Sequence, residues 1–110
     1  MNNLIKQIAE NYGYEAQSRQ LIEEMAELTQ AINKLWRKQG NGQSTENTMG
    51  AICNHVYEEI ADVEIMLGQV KHLLGCEEYV EEFKKIKVER QLERIKNERF
   101  NQQNGVTEKH

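Results

Sequence analysis

The stretch LIEEMAELTQAINKL, residues 21–35, decides the fold of this chain. Its apolar residues recur every three or four positions, which predicts an amphipathic helix with one core-facing seam. That seam comprises Leu21, Met25, Leu28, Ile32 and Leu35. The stretch ICNHVYEEIADVEIMLGQVKHLL, residues 52–74, has the same periodicity and predicts a second long helix. Its seam comprises Ile52, Val56, Ile60, Val63, Leu67, Val70 and Leu74.

The rest of the chain also favours helices. It has 110 residues, no proline and only 6% aromatic residues, which suits a single all-α domain. A short helix is expected over residues 2–11, and the first long helix over about 15–38. We predict a bundle of two long antiparallel helices plus a C-terminal helix over residues 1–100, followed by a disordered polar tail at 101–110.

The ends of the second long helix have recognisable signals. The polar, glycine-containing stretch 40–47 predicts a loop. Either Asn47 or Thr48 is suited to cap the following helix, because a side-chain oxygen there can accept from a free backbone N–H. Gly75 is expected to end that helix, and a last helix is expected to run to about Arg99.

Charge and hydropathy exclude several classes of partner. The net charge of −4 argues against a nucleic-acid polymer as ligand, since such proteins carry a basic surface. No apolar run approaches the roughly 20 residues of a membrane span, and no secretory leader is recognisable at Met1. Cys53 and Cys76 form no metal-binding spacing. We therefore expect a cytoplasmic protein without membrane contact.

Two short acidic motifs carry the chemistry, Glu24-x-x-Glu27 and Glu59-x-x-Asp62. A spacing of three places both carboxylates of a motif on one helix face. If the two helices pack antiparallel, four carboxylates converge, which suits Mg²⁺, or alternatively Mn²⁺. Because Mg²⁺ is usually held by carboxylates together with substrate phosphate oxygens, a phosphate-containing substrate is expected.

These carboxylates lack the basic neighbours that solvated helix faces usually have. Between residues 21 and 33 every charged side chain is a glutamate, and between residues 56 and 70 all are acidic. Glu23 and Glu27 form a like-charge pair four residues apart, which is unfavourable by a few tenths of a kcal/mol, roughly, when exposed. A divalent cation would reverse the sign of that interaction.

The motifs Glu23-Glu24-Met25-Ala26-Glu27-Leu28 and Glu58-Glu59-Ile60-Ala61-Asp62-Val63 resemble the signature of the all-α nucleoside triphosphate pyrophosphatases. The chain looks most like the small single-domain MazG-like members, over residues 12–95. The connection between its motifs is long for such a protein, and the loop at 40–48 would absorb the difference.

The resemblance implies Mg²⁺-dependent hydrolysis of a nucleoside triphosphate to the monophosphate and pyrophosphate, in nucleotide metabolism. The metal-ligand positions of the family correspond to Glu24, Glu27, Glu59 and Asp62. We expect Glu27 nearest the attacking water. Glu23 or Glu58 would either orient a ligand or act as the general base.

Four further residues are candidates for substrate contact. Lys34 lies two helical turns after Glu27 and is the only base between Arg19 and Arg37. Lys87 and Arg90 lie in the region where the family tends to place phosphate-binding bases. Trp36 is suited either to stack on a nucleobase or to anchor a contact with a partner chain.

Two other functions compete with the pyrophosphatase. One is a helical interaction module whose acidic motifs hold a structural metal or nothing, and the other is a phosphohydrolase of a non-nucleotide pyrophosphate. Two long helices and a third make a thin bundle, so we expect oligomerisation to complete it. The resemblance implies a homodimer or homotetramer.

Overall fold

The computed structural model describes residues 1–40 and 47–104. That part of the chain contains four α-helices and no strand, so the all-α prediction is confirmed. The contacts divide the chain into two compact units, Met1–Gly75 and the segment from Cys76 onward. Most of the predicted loop, residues 41–46, and the end of the predicted tail, residues 105–110, lie outside the described residues.

The first two helices are separated by a single residue. Helix α1 comprises Asn2–Tyr12 and helix α2 comprises Tyr14–Lys38. Gly13 between them has φ of 87°, a left-handed conformation that side chains rarely tolerate. Its N–H donates to the Ala9 carbonyl at 2.8 Å, which closes the last turn of α1 before the chain changes direction.

Helix α3 comprises Met49–Leu74, and both of its predicted end signals are confirmed. The Thr48 hydroxyl accepts a hydrogen bond from the Ala51 N–H at 3.1 Å, as an N-cap residue does. Gly75 adopts a left-handed conformation, with φ 63° and ψ 32°, and ends the helix.

Helices α2 and α3 pack antiparallel as a hairpin. Gln17 near the start of α2 meets Gln69 near the end of α3, and Glu24 meets Glu59 in the middle. The side chain of Gln17 donates to that of Gln69 at 2.7 Å in a buried hydrogen bond. The buried apolar residues of the hairpin are few and of moderate size: Ala31, Ile52, Val56 and Met66.

The inward faces of the hairpin agree with the predicted apolar seams at Ile52 and Val56, which are buried, but differ from them elsewhere. Met25 and Ile32 are both 49% exposed, and Ile60 and Leu67 are about as exposed, at 40% and 41%. The residues one position earlier, among them Glu24 and Glu59, point inward instead. The seam prediction is therefore wrong for these apolar residues, since the helices are rotated to enclose polar side chains. Leu74 is also exposed.

Helix α1 packs mainly against the C-terminal half of α3, and the two run parallel. Ile5 lies over Gly68, where an added Cβ would be 3.4 Å from its side chain. Five residues further along α1, the Glu10 carboxylate lies 2.9 Å from Nε2 of His72. Ala9 of α1 is fully buried. One end of the hairpin is thereby covered.

Helix α4 comprises Glu77–Gln103 and forms the second unit. It continues four residues beyond the predicted end at Arg99 and includes the first three residues of the predicted tail. None of its residues is buried. No helix in the described part of the chain combines the length and apolar character needed to cross a membrane.

The buried Gln17–Gln69 hydrogen bond gives a stability test. We expect Gln17→Leu to lower the free energy of unfolding by about 1–3 kcal/mol, because it leaves a buried Gln69 amide without this partner. The double variant with Gln69→Leu should recover most of the loss, since neither amide then remains. Urea denaturation of the wild type, of the single variants Gln17→Leu and Gln69→Leu, and of the double variant measures the coupling. Equal, additive losses would show that the hydrogen bond contributes nothing specific.

Candidate metal centre

Three of the four predicted metal ligands come together near the middle of the packed helices α2 and α3. Carboxylate oxygens of Glu24, Glu27 and Glu59 all lie within 4.8 Å of one another. Glu59 is only 7% exposed, Glu24 is half-buried and Glu27 is exposed. The three therefore form a cluster, named here the acidic cluster, that is closed on the α3 side and reached from solvent through Glu27.

Helical periodicity explains the cluster. Gln17, Glu24 and Ala31 are spaced by seven residues and form the inward line of α2, while Ile52, Glu59 and Met66 form that of α3. Seven residues are close to two turns, so each line stays on one face. Glu27 follows Glu24 by three residues and lies one turn away at the edge of the same face.

The electrostatics of the cluster are unfavourable without a cation. Burial raises the pKa of the Glu59 carboxyl, and the neighbouring charges of Glu27, Glu24 and Asp62 raise it further. His55 acts in the opposite direction, with its Nε2 4.0 Å from the Glu59 carboxylate.

Two carboxylate oxygens in the cluster are buried and lack a hydrogen-bond partner among the described residues. They are Oε2 of Glu24 and Oε2 of Glu59. The other oxygen of Glu24 accepts from Nε2 of Gln20 at 2.9 Å. Buried polar atoms are nearly always paired, so these two acceptors need a partner that the described side chains do not supply. A set of carboxylate oxygens fits a hard divalent cation such as Mg²⁺.

The other acidic candidates lie around the cluster. Asp62 follows Glu59 by one turn and is near enough to raise its pKa, but it is outside the set of mutually close oxygens. Glu23 and Glu58 are exposed and each precedes a residue of the cluster. Their proposed roles as orienting residue or general base stay predictions.

A polar groove of about 270 Å³ lies beside the cluster on the hairpin. It includes the predicted phosphate ligand Lys34 and is here named the basic groove. His55, which faces Glu59, also lines it and so links the groove to the cluster. The lining residues are Gln30, Ala31, Asn33, Lys34, Arg37 and His55.

The remaining substrate candidates are not part of this groove. Trp36 is 56% exposed on α2 and does not line it. Lys87 and Arg90 line a separate basic depression on α4, together with Lys84, Val88, Gln91 and Arg94. Helix α4 belongs to the second unit, so this depression is described apart from the hairpin.

Sequence reasoning missed Arg37, Gln20 and the place of His55. Gln20 had a readable signal, since it precedes Glu24 by four residues and can donate to it. Arg37 follows Lys34 by one turn and extends its face. His55 lies near Glu59 because it precedes it by four residues on the same helix, whereas its place beside the α2 residues of the groove depends on how the two helices are rotated.

The comparisons with known proteins leave the family open. The chain matches no protein-family model, and neither the search of curated proteins nor that of solved structures finds a match.

The raised pKa of Glu59 predicts how stability depends on pH and on metal. The folded metal-free chain holds the Glu59 proton to higher pH than the unfolded chain does, so the free energy of unfolding decreases as the pH rises from about 4.3 through the raised pKa. Glu59→Gln should remove this decrease and make the metal-free variant more stable than the wild type at neutral pH.

Magnesium completes this test. Adding Mg²⁺ should raise the thermal midpoint of the wild type more at pH 8 than at pH 5, because a ligand carboxylate must be deprotonated. It should leave Glu59→Gln unchanged. Thermal melts with Mg²⁺ or with chelator measure both effects, and Glu64→Gln, an exposed carboxylate of α3 outside the cluster, is the control. An equal Mg²⁺ effect in all three proteins would contradict the site.

Proposed function

We propose that this protein is a Mg²⁺-dependent nucleoside triphosphate pyrophosphohydrolase, with Mn²⁺ as an alternative metal. It converts a ribo- or deoxyribonucleoside triphosphate to the monophosphate and pyrophosphate. The observation that carries the proposal is the acidic cluster, three carboxylates within 4.8 Å with two buried oxygens that lack partners. The resemblance of both acidic motifs to the all-α pyrophosphatases supports the same function.

The roles that we assign to the residues of the cluster follow from how buried each one is. Glu59 and Glu24 are the fixed metal ligands, since their oxygens are buried on the hairpin interface. Asp62 completes the set through its neighbouring position on α3. When bound, Mg²⁺ neutralises phosphate charge and lowers the pKa of a coordinated water. Glu27, the exposed member, is placed to hold that water and accept its proton.

The proposed reaction is an in-line displacement at the α-phosphorus. The water oxygen forms a bond to that phosphorus, and the bond to the oxygen bridging the α- and β-phosphates breaks. The electron pair of the broken bond leaves with pyrophosphate, while the proton of the water passes to a carboxylate. Glu23 and Glu58 flank the ligands on the two helices and are the alternative acceptors of that proton.

We also propose that the protein is a homo-oligomer, a dimer or a tetramer, assembled through the apolar face of the hairpin. On α2, Met25 and Ile32 each follow an inward-facing residue by one position, and on α3, Ile60 and Leu67 do the same. Equivalent positions on antiparallel helices lie on the same side of the hairpin. These four exposed apolar side chains therefore share one face, which a second copy would bury.

The acidic cluster opens on the opposite face. Glu27 and Lys34 each follow an inward-facing residue of α2 by three positions, and Asp62 follows Glu59 by three. A step of three residues turns the side chain to the other side from a step of one. Assembly through the apolar face would thus leave the cluster and the basic groove open to substrate.

Activity assays test the function. With Mg²⁺ and a panel of nucleoside triphosphates, the wild type should release pyrophosphate from at least one. Glu24→Gln and Glu27→Gln should each lower kcat/KM by more than about 100-fold, because even residues that only support metal ligands contribute 10- to 100-fold. Glu64→Gln is the matched control. Orthophosphate as the product, or full activity in both cluster variants, would contradict the proposal.

The mass of the protein in solution tests the assembly. Ile60→Asp should shift the wild-type oligomer toward monomer, since it places a charge in the centre of the buried apolar face. Ile65→Asp is the matched control, because Ile65 is equally exposed, at 40%, but lies elsewhere on α3. Light scattering coupled to size-exclusion chromatography gives the masses. A wild-type monomer, or equal dissociation by both variants, would refute this interface.

A further inference from the structure

The basic groove occupies one end of the acidic cluster and shares a wall with it. His55 lies against Glu59, at 4.0 Å, and also lines the groove. Lys34 lies seven residues after Glu27, which is about 10 Å along the axis of α2. A chain of two phosphates that starts at the cluster would therefore run into the groove.

The opposite end of the cluster offers no such path. There the Gln17–Gln69 hydrogen bond joins α2 and α3, and both amides are buried. Helix α1 also packs on that half of α3, with Ile5 over Gly68 and Glu10 against His72. Among the described residues, a substrate that extends from the cluster along the hairpin meets the groove in one direction and the packed α1 and Gln17–Gln69 pair in the other.

The lining of the groove suits an anion rather than a nucleobase. It offers the cations Lys34 and Arg37 and the amides Gln30 and Asn33, whereas its one apolar residue is Ala31 and its lining includes no Phe, Tyr or Trp. Among the described residues, no ion pair neutralises Lys34 or Arg37.

We propose that the basic groove binds the β- and γ-phosphates of the substrate, and that Arg37 is the residue that grips the departing pyrophosphate. This inference rests on the proposed function. A guanidinium can hold two phosphate oxygens at once, whereas Lys34 supplies a point charge. The nucleobase then lies outside the groove.

Inhibition by pyrophosphate tests the role of Arg37. Arg37→Ala should raise the inhibition constant of pyrophosphate and the KM of the triphosphate by about 10- to 100-fold, the usual effect of losing a hydrogen bond to a charged group. Inhibition by the nucleoside monophosphate and the Mg²⁺-dependent rise in thermal midpoint should stay unchanged. Arg37→Lys should recover only part of the loss, because it restores charge without the paired donors.

Arg19→Ala is the matched control, since Arg19 is an exposed arginine of the same helix outside the groove. If Arg37→Ala and Arg19→Ala have the same inhibition constant for pyrophosphate, the subsite is refuted while the enzyme activity stands. If the wild type hydrolyses no nucleotide, calorimetric titration with inorganic tripolyphosphate and Mg²⁺ decides separately. Binding that Arg37→Ala alone weakens would support the anion subsite, and binding unaffected by Arg37→Ala, or its absence, would refute it.

Discussion

The buried carboxylate of Glu59 is the constraint on which the rest of this structure depends. It lies at the centre of the α2–α3 interface, beside two other glutamates, with one oxygen that has no partner among the described residues. Isolated negative charge in such a position is unfavourable, and the raised pKa expresses that cost. A cation bound at this interface, as proposed above, would offset that cost.

The same constraint accounts for the unusual rotation of both helices. Enclosing Glu24 and Glu59 turns Met25 and Ile60 outward by about 100° each, the rotation per residue of a helix. The hairpin thus gains one apolar face and one polar face. The polar face combines the acidic cluster with the basic groove, so charges of opposite sign lie within two helical turns of each other.

Much of the fold could be predicted because its signals are local. Glycine and threonine placed the ends of α3, and apolar periodicity placed the long helices, since each depends on only a few neighbouring residues. The convergence of Glu24, Glu27 and Glu59 also followed from their spacing once two helices were assumed to be antiparallel.

What failed was the choice of the inward face. Glu24 and Ala31 lie along one line of α2, and Met25 and Ile32 lie along the adjacent line, one residue further on. Hydrophobicity favours Met25 and Ile32 as the inward residues. Only packing shows that the line of Glu24 and Ala31 is inside. The basic groove was not predicted for the same reason. His55 and Arg37 line it from two different helices, and the sequence does not encode the relative rotation of those helices locally.

Helix α4 shows the same conflict in a different form. In its first half the apolar residues Tyr79, Phe83 and Ile86 follow one face, and in its second half Val88, Leu92 and Ile95 follow another. The shift from Ile86 to Val88 is two residues, which turns the apolar stripe by about 200°. A single flat surface cannot cover both halves of a straight helix. The two halves of α4 therefore present two different apolar faces.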